Sequence, residues 1–198
     1  MKENKTQKKI QISIRAKILV GMVVCTLIVA NLSGWFLMNR AKTMLLEQCK
    51  QNAGSSAKIA AQRIDGDLLE QLQAGDEGSA DYEEILSQLQ EFLCGDEIKY
   101  IYTMRMNGDT LEFIVDADTE EGAAIGEAYE IYDEIAEAFD GNVTVDSEMT
   151  SDEWGDFYSA FAPVYNSAGD IVGIVGVDCS VTEIRLQQSA LILSLIHI

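Results

Sequence analysis

The rhythm of apolar and polar positions changes twice along this chain. Residues 18–38, ILVGMVVCTLIVANLSGWFLM, are an apolar run without a single charge. At about 1.5 Å per residue such a run spans roughly 30 Å as a helix, the hydrocarbon thickness of a bilayer. Trp35 and Phe36 near its far end suit an interfacial aromatic belt. From Asn39 to about Leu72 the pattern becomes a stripe: Leu45, Cys49, Ala53, Ala60, Ile64, Leu68 and Leu72 recur at spacings of four or its multiples, which predicts a long helix leaving the membrane. AGDEGSA (74–80) breaks it. A second helix is expected from Tyr82 to Leu93, with Tyr82, Ile85, Leu86, Leu89, Phe92 and Leu93 on one face, Asp81 and Glu84 at its start and Gly95 at its end.

Past Gly95 the period drops to two. IKYIYTMRM (98–106) and TLEFIVDAD (110–118) flank Asn107-Gly108-Asp109, a hairpin pattern. GEAYEIYDEIAEAFDGN (126–142) reads as a helical interlude with Ile131, Tyr132, Ile135 and Phe139 inward and Gly141 as its stop. Strand material follows in NVTVDSEM, FYSAFAPVYN and IVGIVGVDCSV, the last two joined by the turn SAGD. The expected fold class is α+β: a transmembrane helix continuing into a long helix, then one antiparallel sheet with helices on one side.

Charge sharpens this picture. Residues 1–17 hold six of the fourteen basic residues and one of the 33 acidic ones, leaving eight basic against 32 acidic residues after position 38, a net charge of −24. A module so acidic repels nucleic acid, and repels anionic headgroups unless divalent cations bridge the two. The basic head and the positive-inside rule place residues 1–17 in the cytoplasm, 18–38 across the membrane and 39–188 outside. The run is long, lacks an Ala-x-Ala site and continues into helix, which argues for an uncleaved anchor over a signal peptide. Residues 189–198 start like a second span, but ALILSLIHI covers only about 14 Å. LSLIHI (193–198) also matches one frame of a common transposon-library sequencing adapter, so the natural frame is expected to have been cut near Ile192. Cys49, Cys94 and Cys179 fall outside the membrane run, and one bridge, an intermolecular bridge and free thiols all stay open.

GDIVGIVGVD (169–178) poses a choice between a phosphate-cradling loop and a buried strand. Gly173 and Gly176 sit inside a β-branched run with no helix start and no Gly-Lys-Ser/Thr after it. That is strand material, in which glycine marks a bulge or a close neighbour. The segment is expected to be a central strand with Asp178 at its end.

The segments YIYTMRMNGDTLEFIVDAD (100–118), GEAY (126–129) and DEWGDFYSAFAPVYNSAGDIVGIVGVD (152–178) resemble the extracytoplasmic single Cache (PAS-like) sensor domain of bacterial chemoreceptors, sensor kinases and diguanylate cyclases. The likeness covers about residues 39–190. It implies a five-stranded antiparallel sheet on a membrane-proximal helix and a small-ligand pocket on one face. It also implies signalling through a second membrane helix to a cytoplasmic output, here expected to be that of a methyl-accepting chemotaxis protein. In related amino-acid sensors an aspartate closing the last strand contacts the ligand amine, and Asp178 matches by position; their Tyr-x-Arg-x-Trp-Tyr signature is absent here.

The expected partners are a small ligand (amine, amino acid or carboxylate), the membrane, a second copy of the chain and cytoplasmic signalling proteins, with no cofactor. Arg105 is the candidate for a carboxylate ligand, because its planar fork binds one bidentately. Alternation sets it on the strand face opposite Tyr100 and Tyr102, so the two sets share a pocket only across a bulge. Asp116, Asp118 and Asp178 at strand ends, beside Tyr129, Trp154 and Tyr158, offer charge pairing and cation–π contact to an amine. Asp140, Asp146, Glu148, Asp152, Glu153 and Asp156 form a further acidic group whose spacing matches no defined cation loop and fits a solvated face. An anchored hydrolase using Asp116 and Asp118, or a divalent-cation module, are the rival readings. The chain offers the hydrolase only one histidine, His197, and no Gly-x-Ser-x-Gly.

Overall fold

A computed structural model describes residues 13–94, 98–118, 120, 122–152 and 155–181. Gly95, Trp154, Glu153 and the segment from 182 to the end, which includes the expected second span, lie outside the described residues. The chain divides into two compact units between Thr43 and Met44.

In the first unit the described residues are the opening part of helix α1 (Ile14–Arg63), long and apolar enough to cross a bilayer. Leu19, Val23, Leu27 and Trp35 present their side chains outward. No soluble core covers them.

The second unit is built on one antiparallel sheet. After α1 come α2 (Gly66–Gln71), α3 (Ala80–Gln90) and a 3-10 turn (Glu91–Cys94). The rest comprises β1 (Ile98–Asn107), β2 (Thr110–Asp116), β3 (Ala128–Tyr129), α4 (Asp133–Phe139), β4 (Thr144–Val145), β5 (Thr150–Asp152), β6 (Gly155–Tyr165) and β7 (Ile171–Ser180). The strand order is β3-β2-β1-β7-β6-β4, with β5 pairing β6 outside that path. Seven strands replace the five expected, because β3, β4 and β5 are two- or three-residue additions to four long strands. β7 lies between β1 and β6, the central place its β-branched run calls for.

The two faces of the sheet carry different cores. Against one face pack α1, α2 and α3, through Cys49, Ala53, Ala57 and Ala60 of α1, Leu69 of α2, and Ile85 and Leu89 of α3. These small α1 residues share one buried cluster with Ile101, Val175 and Val177 of the sheet. Against the other face packs α4, where Ile135 and Ala138 meet Tyr102, Met104, Phe161 and Ile174. The helices therefore cover both faces and not one. Of the predicted interlude's inward stripe, Ile135 is buried and Tyr132 and Phe139 pack against this core, but Ile131 is exposed; only Asp133–Phe139 is helical, and Ala128 and Tyr129 pair with β2 as β3.

Local signals explain the remaining departures. The predicted long helix stops at Arg63 because Asp65 caps a new one, its carboxylate accepting from the N–H of Asp67 at 2.9 Å and of Leu68 at 3.4 Å. α3 starts two residues ahead of Tyr82, with Ser79 as its cap in place of Asp81. The hairpin loop is Gly108-Asp109, with a positive φ at Gly108 alone, the signature of a type II′ turn. Gly173 and Gly176 give room to neighbours: a Cβ on the first would meet the Met104 carbonyl at 2.7 Å, and one on the second would strike the Tyr102 ring. A disulfide joins Cys49 of α1 to Cys179 of β7.

Candidate functional site

The face carrying α4 holds a cavity of about 290 Å³. β1 supplies Tyr100 and Tyr102 two residues apart, β6 supplies Phe157 and β7 supplies Asp178. β2 supplies both Phe113 and Asp116, which strict alternation would send to opposite faces because three positions separate them. The register shift between Thr103 and Met104 resolves this: Thr103 faces Val115 while Met104 faces Phe113, so Ile114 is the extra residue of a bulge. The Thr103 hydroxyl fills the irregularity, accepting from the Val115 N–H at 3.0 Å.

From Asp116 the chain turns through Asp118, Ala123 and Glu127 into Tyr129, all lining the cavity. Asp116 organises that turn by accepting from the N–H groups of Asp118 at 2.9 Å and Ala123 at 3.0 Å. Asp118 accepts from the Glu120 N–H at 2.9 Å. The caps that make the loop also concentrate its charge. Burial raises the pKa of Asp116 above the carboxylate norm, with its two N–H donors opposing that shift.

Aromatic rings form the cavity floor in edge-to-face contacts, Tyr100 with Phe157 at 5.6 Å, Tyr102 with Phe113 at 5.2 Å and Phe113 with Tyr129 at 5.5 Å between centroids. The Tyr102 hydroxyl donates to Asp178 at 3.2 Å. Burial, with Asp178 beside it, pushes the Tyr102 phenol well above its ordinary range, so it remains a donor at neutral pH.

Four of the residues singled out from sequence thus meet in one place: Asp116, Asp118, Tyr129 and Asp178. Arg105 does not join them. Its Nη1 donates to the carbonyls of Leu72 at 2.7 Å and Glu70 at 3.4 Å, capping the end of α2 on the opposite face, where alternation places it. It borders a larger, shallow cleft of about 740 Å³ beside Asn107, Glu112 and Asp170. That cleft is bigger but lacks aromatic walls, and its one guanidinium is engaged by backbone. Tyr158 also faces away, with the Lys50 ammonium 4.2 Å from its ring centroid. Trp154 lies outside the described residues. Among those described, no three His, Cys, Asp or Glu side chains converge as metal ligands would.

Sequence reasoning missed Phe113, Glu127 and Phe157 as lining residues. The bulge hides Phe113, and Glu127 and Tyr129 were read within a helix. Phe157 was findable, since it alternates with Tyr158 in a strand whose other face meets α1.

No family model matches the sequence, and no curated protein is similar to it. Solved structures are. The ligand-binding domain of the Campylobacter jejuni chemoreceptor Tlp3 in complex with 4-methylisoleucine superposes with a TM-score of 0.50 at 13% identity, over 75% of this chain and 58% of that one. The same domain in complex with L-valine gives 0.48 at 14% identity, over 78% and 61%. The periplasmic domain of RsbU from Chlamydia trachomatis gives 0.35 at 13%, over 77% and 59%. The chain spans about three-fifths of the length of these domains. The likeness is one of fold: the α+β arrangement of the Tlp3 ligand-binding domain, in line with the Cache-like fold that the resemblance of residues 39–190 implies.

Proposed function

We propose that the chain is the sensory part of a membrane-bound receptor of the chemotaxis type, with the aromatic cavity as its ligand site. Residues 1–17 lie in the cytoplasm, 18–38 span the membrane and 39–188 form the sensor outside. Asp116, Asp118, Tyr129 and Asp178 hold a small amine, by charge and by the electron-rich faces of the rings. No residue is assigned a catalytic role. The observation that carries this reading is the meeting of carboxylates from two distant strand ends over one aromatic floor.

Three further features support it. The likeness to Tlp3 is to a domain crystallised with small amino-acid ligands. The Cys49–Cys179 bridge fits an oxidising compartment outside the cytoplasm. It also offers a route for the signal, because β7 presents Asp178 to the cavity and the next residue is covalently tied to α1. A ligand that favours one setting of β7 over another biases α1 by its differential affinity.

The test is thermal melting of the full chain in nanodiscs against amines, amino acids, carboxylates and divalent ions. An amine raises the melting temperature, and Asp178→Asn abolishes the rise. A screen without any shift, or a shift by carboxylates alone, counts against this site.

A further inference from the structure

The rings that line the cavity do not lie flat on one another. Tyr102 stands among them, paired with Asp116 of β2 on one side and Gly176 of β7 on the other, and the missing side chain of Gly176 gives its ring room. The plane of Phe113 is turned 65° from that of Tyr102, and Phe157 is turned 61° from Tyr100. Rings set at such angles make corners, which border a compact group on two sides as a flat stack does not.

The carboxylates of the lining already have partners in the protein. Asp116 accepts from the N–H groups of Asp118 and Ala123, Asp118 from that of Glu120, and Glu127 from that of Ala124 at 3.3 Å. Asp178 accepts from the Tyr102 hydroxyl, and both Asp118 and Asp178 are engaged further. These donors position the oxygens, while the negative charge still acts across the cavity. No basic side chain is among the described lining residues.

A cation's own donors decide how it fits such a site. A primary ammonium carries three N–H donors, each needing an acceptor once water is stripped away, and it must compete with the protein's donors for the carboxylate oxygens. A quaternary ammonium has no N–H to satisfy. Its N-methyl groups bury apolar surface on the rings, and its charge is attracted by their quadrupoles and by the carboxylates at longer range. An anion attached to the cation would meet like charge and no basic partner.

Granted that this cavity is the ligand site, we propose that it takes a compact quaternary ammonium ion without an attached anion, its methylated head seated on Tyr102, Phe113 and Phe157. The carboxylates act on it through their field and keep their hydrogen bonds to the protein.

Titration calorimetry tests this on the full chain in phosphatidylglycerol nanodiscs, which lack choline headgroups. The probes are choline, ethanolamine, the neutral isostere 3,3-dimethylbutanol and phosphocholine. Choline binds at least about tenfold tighter than each of the other three, a step within reach of desolvated cation–π contact. Phe113→Leu, which keeps apolar bulk and removes a ring, lowers the affinity for choline and leaves that for ethanolamine unchanged. Tyr158→Phe, on the other face, leaves the whole series unchanged and serves as the folding control. Ethanolamine or phosphocholine binding as tightly as choline overturns the anion-free quaternary ligand and leaves the amine receptor standing. The neutral isostere binding as tightly as choline, or failure of every ammonium probe to bind, overturns both.

Discussion

The two faces of the sheet solve different problems with the same strands. On the helix side the contacts are Ala53, Ala57, Ala60, Val175 and Val177, small or β-branched and without a polar atom to satisfy, and Cys49–Cys179 locks them covalently. On the cavity side the residues are large and amphipathic, Tyr100, Tyr102, Phe113 and Phe157, with carboxylates at the margins. β7 belongs to both, sending Val175, Val177 and Cys179 one way and Ile174 and Asp178 the other. The period of two that makes a strand also separates the disulfide-tied core from the proposed ligand cavity. Substitutions on one face should tax folding and leave binding alone, and the reverse should hold on the other.

The largest effect is expected from the bridge. It closes a loop of 130 residues, so Cys49→Ser with Cys179→Ser should lower unfolding free energy by about 4 kcal/mol in denaturant titration. Ligand affinity measured below the transition should stay within a few-fold. Next comes Ile85→Ala on α3, a fully buried side chain whose loss should cost about 3 kcal/mol, again with little change in affinity. Either variant losing binding while still folded would erase the division between the faces.

Gly176→Ala probes the shared strand from the cavity side. Its new methyl strikes the Tyr102 ring, which should cost about 1–3 kcal/mol and move the phenol away from Asp178. Here binding should fall along with stability. An unchanged affinity would remove Tyr102 from the site.

The smallest effect is a pH dependence. Asp116 and Asp146 both have pKa values raised by burial, and for Asp146 a buried Oδ1 has no hydrogen-bond partner among the described residues. A carboxyl raised in the folded state binds more protons there than in the unfolded chain, so its contribution is full below the unfolded value near 3.8. It is lost as pH rises through the folded value. Ligand-free stability should decline over that window, and Asp146→Asn, which keeps an acceptor for the Ser159 N–H, should flatten part of the decline. A slope equal in wild type and variant would contradict the assignment.

Much of this was legible in the residue pattern. The stripe Cys49, Ala53 and Ala60 fixes the inner face of α1, and the β-branched run of 171–177 fixes the central strand. Asp116, Asp118 and Asp178 were grouped because residues near strand ends share an edge, and all three line the cavity, although β7 runs on to Ser180. The helix end at Arg63 was not legible, because the apolar stripe continues through Leu68 and Leu72 while the Asp65 cap resets the axis. Nor was the bulge at Ile114, which depends on how Thr103 meets Val115 across strands and has no local signature. Tyr129 was assigned to a helix because its neighbours share that period, yet pairing with Leu111 prevails. Arg105 was singled out for its rarity; it lies on the other face, where it donates to two carbonyls at the end of α2.

Hydrogen exchange on the full chain, with and without a saturating amine that raises its melting temperature, tests the central claim most directly. The account predicts slowed exchange at amides 113–129 and 176–178, around the aromatic cavity, with the amides of α2 and of the cleft beside Arg105 unaffected. Protection confined to Asn107, Glu112 and Asp170, with none at 113–129 or 176–178, would contradict it.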